Sequence, residues 1–318
     1  MIAADFVARR LGRIVGAVDP APEIAGKRLS EIVPGADASL FVLNDVEQAA
    51  SRASVKPQCA VVATFSSLEK CVPVFRSLLG AGVSVVSTCE ELVFPWPAHD
   101  DRAAELHELC KSRNARLLGT GVNPGFLMDT WPVFMTAVCR AVRAARVERI
   151  QDATTRRIPF QKKIGAGLDD AAFKARVADG SLRHVGLRES AHFIAHHLGL
   201  EVARYAETLE PVRAERDLTC ALGPIRRGGI SGVRQTGTAL GRAGKPVVSL
   251  EFVAAIGQPD PHDRVVIDAD PPIDATIRGG VHGDTATSAI VLNSIQPLLA
   301  VAPGLHTMGT VALPHFVR

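Results

Sequence analysis

Aromatic residues are scarce in this 318-residue chain, 5% in all, with a single tyrosine (Tyr205) and two tryptophans (Trp96, Trp131). That poverty weighs against a platform for stacking nucleic-acid bases. Charge of one sign is not in excess either. Lys and Arg number 36 against 33 Asp and Glu, a net +3, too little to imply a phosphate-backbone partner. The six cysteines (Cys59, Cys71, Cys89, Cys110, Cys139, Cys220) form no C-x-x-C pair and read as reduced, mostly buried thiols of a cytoplasmic protein. No uncharged apolar run approaches the ~18 residues of a membrane span, so no membrane partner is expected. The N-terminus lacks the basic region, apolar run and cleavage site of a signal peptide. What is present, 47% hydrophobic and 22% charged residues, suits a globular enzyme long enough for two domains.

MIAADFVARRLG reads as a short amphipathic helix and RIVGAVD (13–19) as a buried strand ending on an acid. That is the order that follows the glycine-rich loop of a dinucleotide-binding unit. SLFVLND (39–45) is a weaker strand that would pair at a sheet edge. CAVVATFSS (59–67), VSVVSTCEE (83–91) and ARLLGTG (115–121) are further strands. Helices are expected at 68–82, over DDRAAELHELCKSRN, and as one long helix at 126–146. Strands alternating with helices imply a parallel sheet. Beyond Arg146 the texture changes to two helices, a Gly/Arg-rich segment (Gly223–Gly241) and the strand-like runs KPVVSLEFVAAIG and DRVVIDAD. These suggest an antiparallel sheet in a second, α+β domain. The expected divisions are 1–146, 147–284, and a C-terminal helix and tail at 285–318 that packs back on the first domain.

Asp19 closes the first strand, where an acid would accept the adenosine ribose hydroxyls of a dinucleotide; a plain turn Asp before Pro20 explains it equally well. It leans towards NAD, and nearby Lys27 and Arg28 lean towards NADP. Thr64, Phe65, Ser66 and Thr88 sit at strand carboxyl ends, where open α/β sheets bind ligands. Small hydroxyl residues there let backbone approach a ribose or nicotinamide. Glu90 and Glu91 precede the apolar run LVFPWP; a carboxylate in a half-apolar pocket has its pKa raised and can exchange protons near neutrality. The alternative is one buried helix-capping acid and one solvated one. GTGVNPGF (119–126) is not a phosphate-loop fingerprint, because its spacing is G-x-G-x-x-x-G. Its helix start can still hold an amide or substrate group. Glu189, His192 and His196 share a helical face without a further ligand at metal spacing, so no metal is expected. The basic run at Arg156, Arg157, Lys162 and Lys163 is a solvated face or a phosphate contact, and Asp284 is a candidate N-cap.

Taken together, GTGVNPGFLMD, QDATTRRIPFQKKIGAGL, HVGLRES, GDTATSAIVLNSI and APGLHTM resemble 2,4-diaminopentanoate dehydrogenase and its relatives. These are NAD(P)-dependent amine dehydrogenases similar in architecture to dihydrodipicolinate reductase. The resemblance implies a Rossmann-type α/β domain joined to an α+β substrate and oligomerisation domain, and a homo-oligomer such as a dimer. It implies oxidation of a CH–NH2 group to a ketone with NAD or NADP, or the reverse, on a small amine or ketone substrate. Carried over by position, the acidic pair Glu90 and Glu91 holds the catalytic carboxylate, with Glu90 favoured over Glu91. Asn123, Pro124 and Gly125 hold the nicotinamide end, Thr64–Ser66 and Thr88 the ribose side, and Asp19 the adenosine ribose. It further implies a first strand and glycine-rich loop before the opening helix, so a natural start upstream of Met1 is expected. Two alternatives stand beside this: a reductase or sugar-type dehydrogenase on the same scaffold, weakened by the lack of a lysine general acid at Cys-Glu-Glu, and a cofactor-blind, non-enzymatic subunit.

Overall fold

The computed structural model describes residues 1–317. Along the first part of the chain come α1 (Ile2–Ala8), β1 (Ala17–Val18), α2 (Leu29–Ile32), β2 (Val42–Leu43), α3 (Val46–Arg52) and β3 (Cys59–Val62). Next are α4 (Leu68–Gly80), β4 (Ser84–Ser87), α5 (Trp96–Ser112), β5 (Arg116–Gly119) and α6 (Thr130–Met135). The middle holds β6 (Ala141–Asp152), α7 (Ile158–Lys163), α8 (Asp170–Ala178), α9 (Leu187–His197) and β7 (Arg204–Arg213). Then follow β8 (Leu218–Cys220), β9 (Gly223–Ile225), β10 (Ile230–Leu240), β11 (Pro246–Ala255), β12 (His262–Asp270) and β13 (Ile273–Arg278). The chain ends with α10 (Gly283–Asn293), α11 (Ile295–Leu299) and β14 (Gly304–His306).

These elements divide into two compact units, Met1–Phe126 with His282–Arg318, and Leu127–Val281. In the first, short β-branched runs build a parallel sheet in the order β14-β5-β4-β3. All four residues of β4 are buried, as a strand covered on both faces requires. In α4, Leu68, Cys71, Val72, Phe75, Leu78 and Leu79 recur at helical spacing and are all buried. They form a core with Val85, Leu106 and Leu117. The strand expected over 13–19 shrinks to two residues, which pair in parallel with β2 as a separate ribbon. The expected C-terminal helix is two helices, α10 and α11, and belongs to this unit with β14; Arg318, the end of the expected tail, lies outside the described residues.

The long helix expected over 126–146 does not form. Pro132 falls in the short α6, a 3₁₀ turn follows, and β6 begins at Ala141. The run AVRAARVERIQD alternates with a period of two, putting Val147 and Arg149 on the buried face and Arg146 and Glu148 on the other. The expected boundary at 146 therefore falls inside a strand. The second unit is built on a six-stranded sheet, β13-β12-β6-β11-β10-β7. It is mixed rather than antiparallel, since β11 runs parallel to β6. Leu187, Ala191, Ile194 and Ala195 of α9 share one core with Val147, Val233, Leu250 and Phe252 of the sheet. The opposite face carries ion pairs, among them Arg234 with Glu251 and Arg264 with Asp274.

Candidate active site

Three strand ends of the first unit meet at one cavity of about 230 Å³. Ala63, Thr64, Phe65 and Ser66 follow β3, Thr88 and Glu90 follow β4, and Gly121, Val122, Asn123 and Pro124 follow β5; α10 adds Thr287. This is the carboxyl edge of a parallel sheet, where open α/β folds bind ligands. A wider hollow of about 650 Å³, lined by Glu47, Lys56 and Arg76, includes Val83 at the amino end of β4, the edge that such sheets do not use.

Local chemistry fixes each wall. The Thr88 amide donates to the Val62 carbonyl and the Thr120 amide to that of Ser87, carrying the ladder past the strand ends. The Ser87 hydroxyl donates to the Val62 carbonyl at 3.0 Å and accepts the Cys89 amide at 3.1 Å. Behind the cavity the Cys71 thiol lies 3.5 Å from the Phe65 carbonyl, and the Cys89 thiol 3.2 Å from that of Ser66. The neighbouring Cys89 thiol holds the Cys71 thiol below its ordinary range, and the same neighbour with burial holds Cys89 well up. The third wall is a tight loop closed by Gly125 at φ 125°. A Cβ on Gly125 would lie 2.3 Å from the Gly121 nitrogen, so only glycine fits. The Val122 amide donates to the Thr287 hydroxyl at 3.4 Å, joining this loop to α10.

Of the residues singled out in the sequence, Thr64, Phe65, Ser66, Thr88, Glu90, Asn123 and Pro124 come together here. Glu91 does not line the cavity. One of its oxygens accepts the Leu68 amide at 2.8 Å and lies 3.2 Å from His99 Nε2, which makes it the helix-capping acid of the pair. Gly125 is not among the lining residues. Asp19 is also not among the lining residues: its carboxylate accepts the Ala21 amide at 2.9 Å, closing the turn after β1. The helix expected to be capped by Asp284 starts two residues earlier, with His282 at the cap, leaving Asp284 in the first turn.

Ala63, Gly121, Val122 and Thr287 line the cavity without having been singled out in the sequence, and of these Thr287 lies outside the strand-end runs. Its signal was present in GDTATSAI, a run of small polar residues on a helix whose later positions are apolar. In the second unit Glu189 is buried in α9, the His192 ring contacts the Arg188 carbonyl, and His196 packs edge-on to His197. Arg156 lies over the Phe160 ring at 4.0 Å. Among the described residues no group of three or more His, Cys, Asp or Glu could hold a metal ion, and no helix is long and apolar enough to cross a membrane.

The chemistry this cavity can do is set by its lining: hydroxyl and amide groups, one carboxylate, and no Lys or Arg among the described residues that form it. It suits neutral polar and cationic groups and disfavours phosphates. A family model for the 2,4-diaminopentanoate dehydrogenase C-terminal domain matches residues 126–318. The 2,4-diaminopentanoate dehydrogenase of Acetoanaerobium sticklandii is 25% identical over 323 residues, covering 99% of this chain and 90% of that protein. Among solved structures, an amine dehydrogenase from Mycobacterium smegmatis shares the fold at TM-score 0.85 and 21% identity, over 99% of this chain and 94% of that one. A UDP-N-acetylglucosamine 3-dehydrogenase from Acidithiobacillus ferrooxidans is more distant in fold, at TM-score 0.51 and 13% identity over 93% and 84%.

Proposed function

The chain belongs to the 2,4-diaminopentanoate dehydrogenase family, and from that premise we propose that it is an NAD(P)-dependent oxidoreductase acting on the CH–NH2 group of an amine or diamino acid. It oxidises that group to a ketone with release of ammonia, or runs the reverse reductive amination. The observation that carries this reading is Glu90, placed among Thr64, Ser66, Thr88, Asn123 and Thr287 in one cavity without a basic lining residue. The donor set fits the nicotinamide riboside end of NAD or NADP. Thr64, Ser66 and Thr88 would meet ribose hydroxyls, and Asn123 the carboxamide. When bound there, the nicotinamide supplies the hydride acceptor.

The protein's own part is acid–base chemistry and positioning. Glu90 takes a proton from the substrate ammonium, so that the nitrogen lone pair can assist hydride departure from its carbon. It releases that proton to solvent, takes another from the water that adds to the resulting iminium carbon, and returns it to the carbinolamine nitrogen, so that ammonia departs, carrying off the hydroxyl proton as ammonium, and the ketone is left. The half-buried carboxylate also attracts the ammonium itself, orienting the carbon that bears it. Phe65, 52% exposed at the cavity, offers an apolar wall to the substrate's carbon chain.

An amine panel assayed for NADH or NADPH production tests this reading, with Glu90→Gln beside the natural enzyme. Turnover should fall by about 10²–10⁴ in the variant, the usual share of a general base, with cofactor affinity little changed. Full turnover in Glu90→Gln removes Glu90 from the mechanism. Failure of either dinucleotide to quench protein fluorescence at millimolar concentration favours the cofactor-blind alternative instead.

A further inference from the structure

We infer that Glu91 is a positioning residue that laces two walls of the cavity together and so fixes where Glu90 stands; this rests on the amine dehydrogenase reading of that cavity. The helix α4 starts without a cap of its own, for Ser67 at its N-cap makes no side-chain hydrogen bond. The first amides of a helix have no partner within it. Here the Leu68 amide finds one in Glu91, whose carboxylate oxygen lies at 2.8 Å although it is 23 residues further along the chain. A charged acceptor at a helix start is favoured twice, by the stronger hydrogen bond and by the helix dipole.

The same residue makes a second tie through its backbone, its amide donating to the Ser66 carbonyl at 3.3 Å. A third partner, His99 Nε2, lies 3.2 Å from the capping oxygen. His99 stands where α5 leaves helical geometry, at φ −140° and ψ 43°. Glu91 therefore joins the loop after β3, the turn after β4 and the start of α5. Ser66 and Glu90, the residues on either side of this lacing, both line the cavity. The two adjacent acids thus divide the work: Glu91 is spent on three structural partners while Glu90 meets the ligand.

Three variants test the inference: Glu91→Ala, Glu91→Gln and, as reference, Glu90→Gln. Hydrogen exchange of peptides spanning 63–68 reads the tie without any need for turnover. In Glu91→Ala these amides should exchange roughly fivefold faster or more, the effect of losing a cap, and the KM for the dinucleotide should rise. Glu91→Gln keeps an oxygen acceptor and should restore both, whereas Glu90→Gln should lower kcat with exchange unchanged. Unchanged exchange in Glu91→Ala overturns the inference. So does a Glu91→Gln enzyme as slow as Glu91→Ala with normal exchange, since Glu91 would then be handling protons itself. If Glu90→Gln is fully active while Glu91→Ala exchanges faster, Glu90 leaves the mechanism proposed above and the lacing stands; if neither dinucleotide binds while Glu91→Ala exchanges faster, the proposed function fails and the lacing stands.

Discussion

Arg149 and Asp263 show what a single buried side chain contributes outside the cavity. They are 2% and 1% exposed and form an ion pair across neighbouring strands β6 and β12. Arg149 also donates to the Val281 carbonyl at 3.0 Å, and the Asp263 carboxylate accepts the Val281 amide at 2.8 Å. Removing one partner leaves the other buried and uncompensated, so Asp263→Asn should cost about 3–5 kcal/mol, measured as a lower urea midpoint. The double variant Arg149→Met with Asp263→Leu should recover most of that loss, because it also removes the desolvation penalty. Cys110 gives a pH-dependent counterpart. Burial pushes its thiol up to about 12 from the ordinary 9.0. Above pH 9 the unfolded thiol ionises while the folded one keeps its proton, so Cys110 destabilises the fold increasingly as pH rises towards 12. Thermal unfolding followed from pH 8 to 11 should show a shallower fall for Cys110→Ala than for the natural chain. At this scale the sequence showed which residue types gather at the strand ends, and it favoured Glu90 over Glu91 with nothing in the residues themselves to separate the two. They are neighbours in a 3₁₀ turn (Glu90–Leu92), where successive side chains diverge by about 120°. Only the partners at Leu68 and His99 tell them apart.

Elements in this protein are spaced by glycine where backbones nearly touch. In β5 a Cβ on Gly119 would come within 2.6 Å of the Leu92 carbonyl carbon and 2.7 Å of the Val93 nitrogen. Those atoms belong to the segment that follows Glu90, so the strand is pressed against the turn that carries the proposed base. Gly119→Ala should cost about 1–3 kcal/mol through overpacking, and should weaken dinucleotide binding by displacing that turn. A melting temperature and a fluorescence titration within error of the natural protein would show the contact is slack. The same crowding explains what the sequence hid. β10 runs ISGVRQTGTAL, within the stretch that the sequence marks only as Gly/Arg-rich, yet it is an inner strand of the six-stranded sheet. Gly232 leaves room for the Ala254 carbonyl, which a Cβ would meet at 2.0 Å, and Gly237 leaves room for the Tyr205 hydroxyl. By contrast β3, β4 and α4 were legible because their apolar periods match their geometry and nothing distant overrides them. Residues 126–146 were misread because their apolar positions fit both periods, and the strand was decided by β11 and β12 pairing on either side of β6.

The chain visits its first unit twice and its second unit once, and the consequence for folding is direct. Leu127–Val281 is continuous and contains the whole six-stranded sheet, α9 and their shared core. A domain of about 150 residues buries roughly 68–70% of its unfolded surface, enough for independent stability. Its last residue, Val281, is held from both backbone atoms by Arg149 and Asp263, so the segment closes upon itself. Met1–Phe126 lacks that closure. Its sheet takes β14 from the far end of the chain as the partner of β5, Arg116 donates to the Val301 carbonyl at 2.9 Å, and Arg9 reaches Asn293. Thr287 of the cavity comes from the same distant segment. A fragment of residues 127–281 should therefore show a β-rich circular dichroism spectrum and one cooperative urea transition, whereas a fragment of residues 1–126 should unfold without a sharp midpoint. Adding residues 282–318 in trans should sharpen the second transition, since they return an edge strand and two helices to it. A non-cooperative 127–281 fragment would mean that the closure at Val281 does not suffice, and that the core of this segment depends on the rest of the chain.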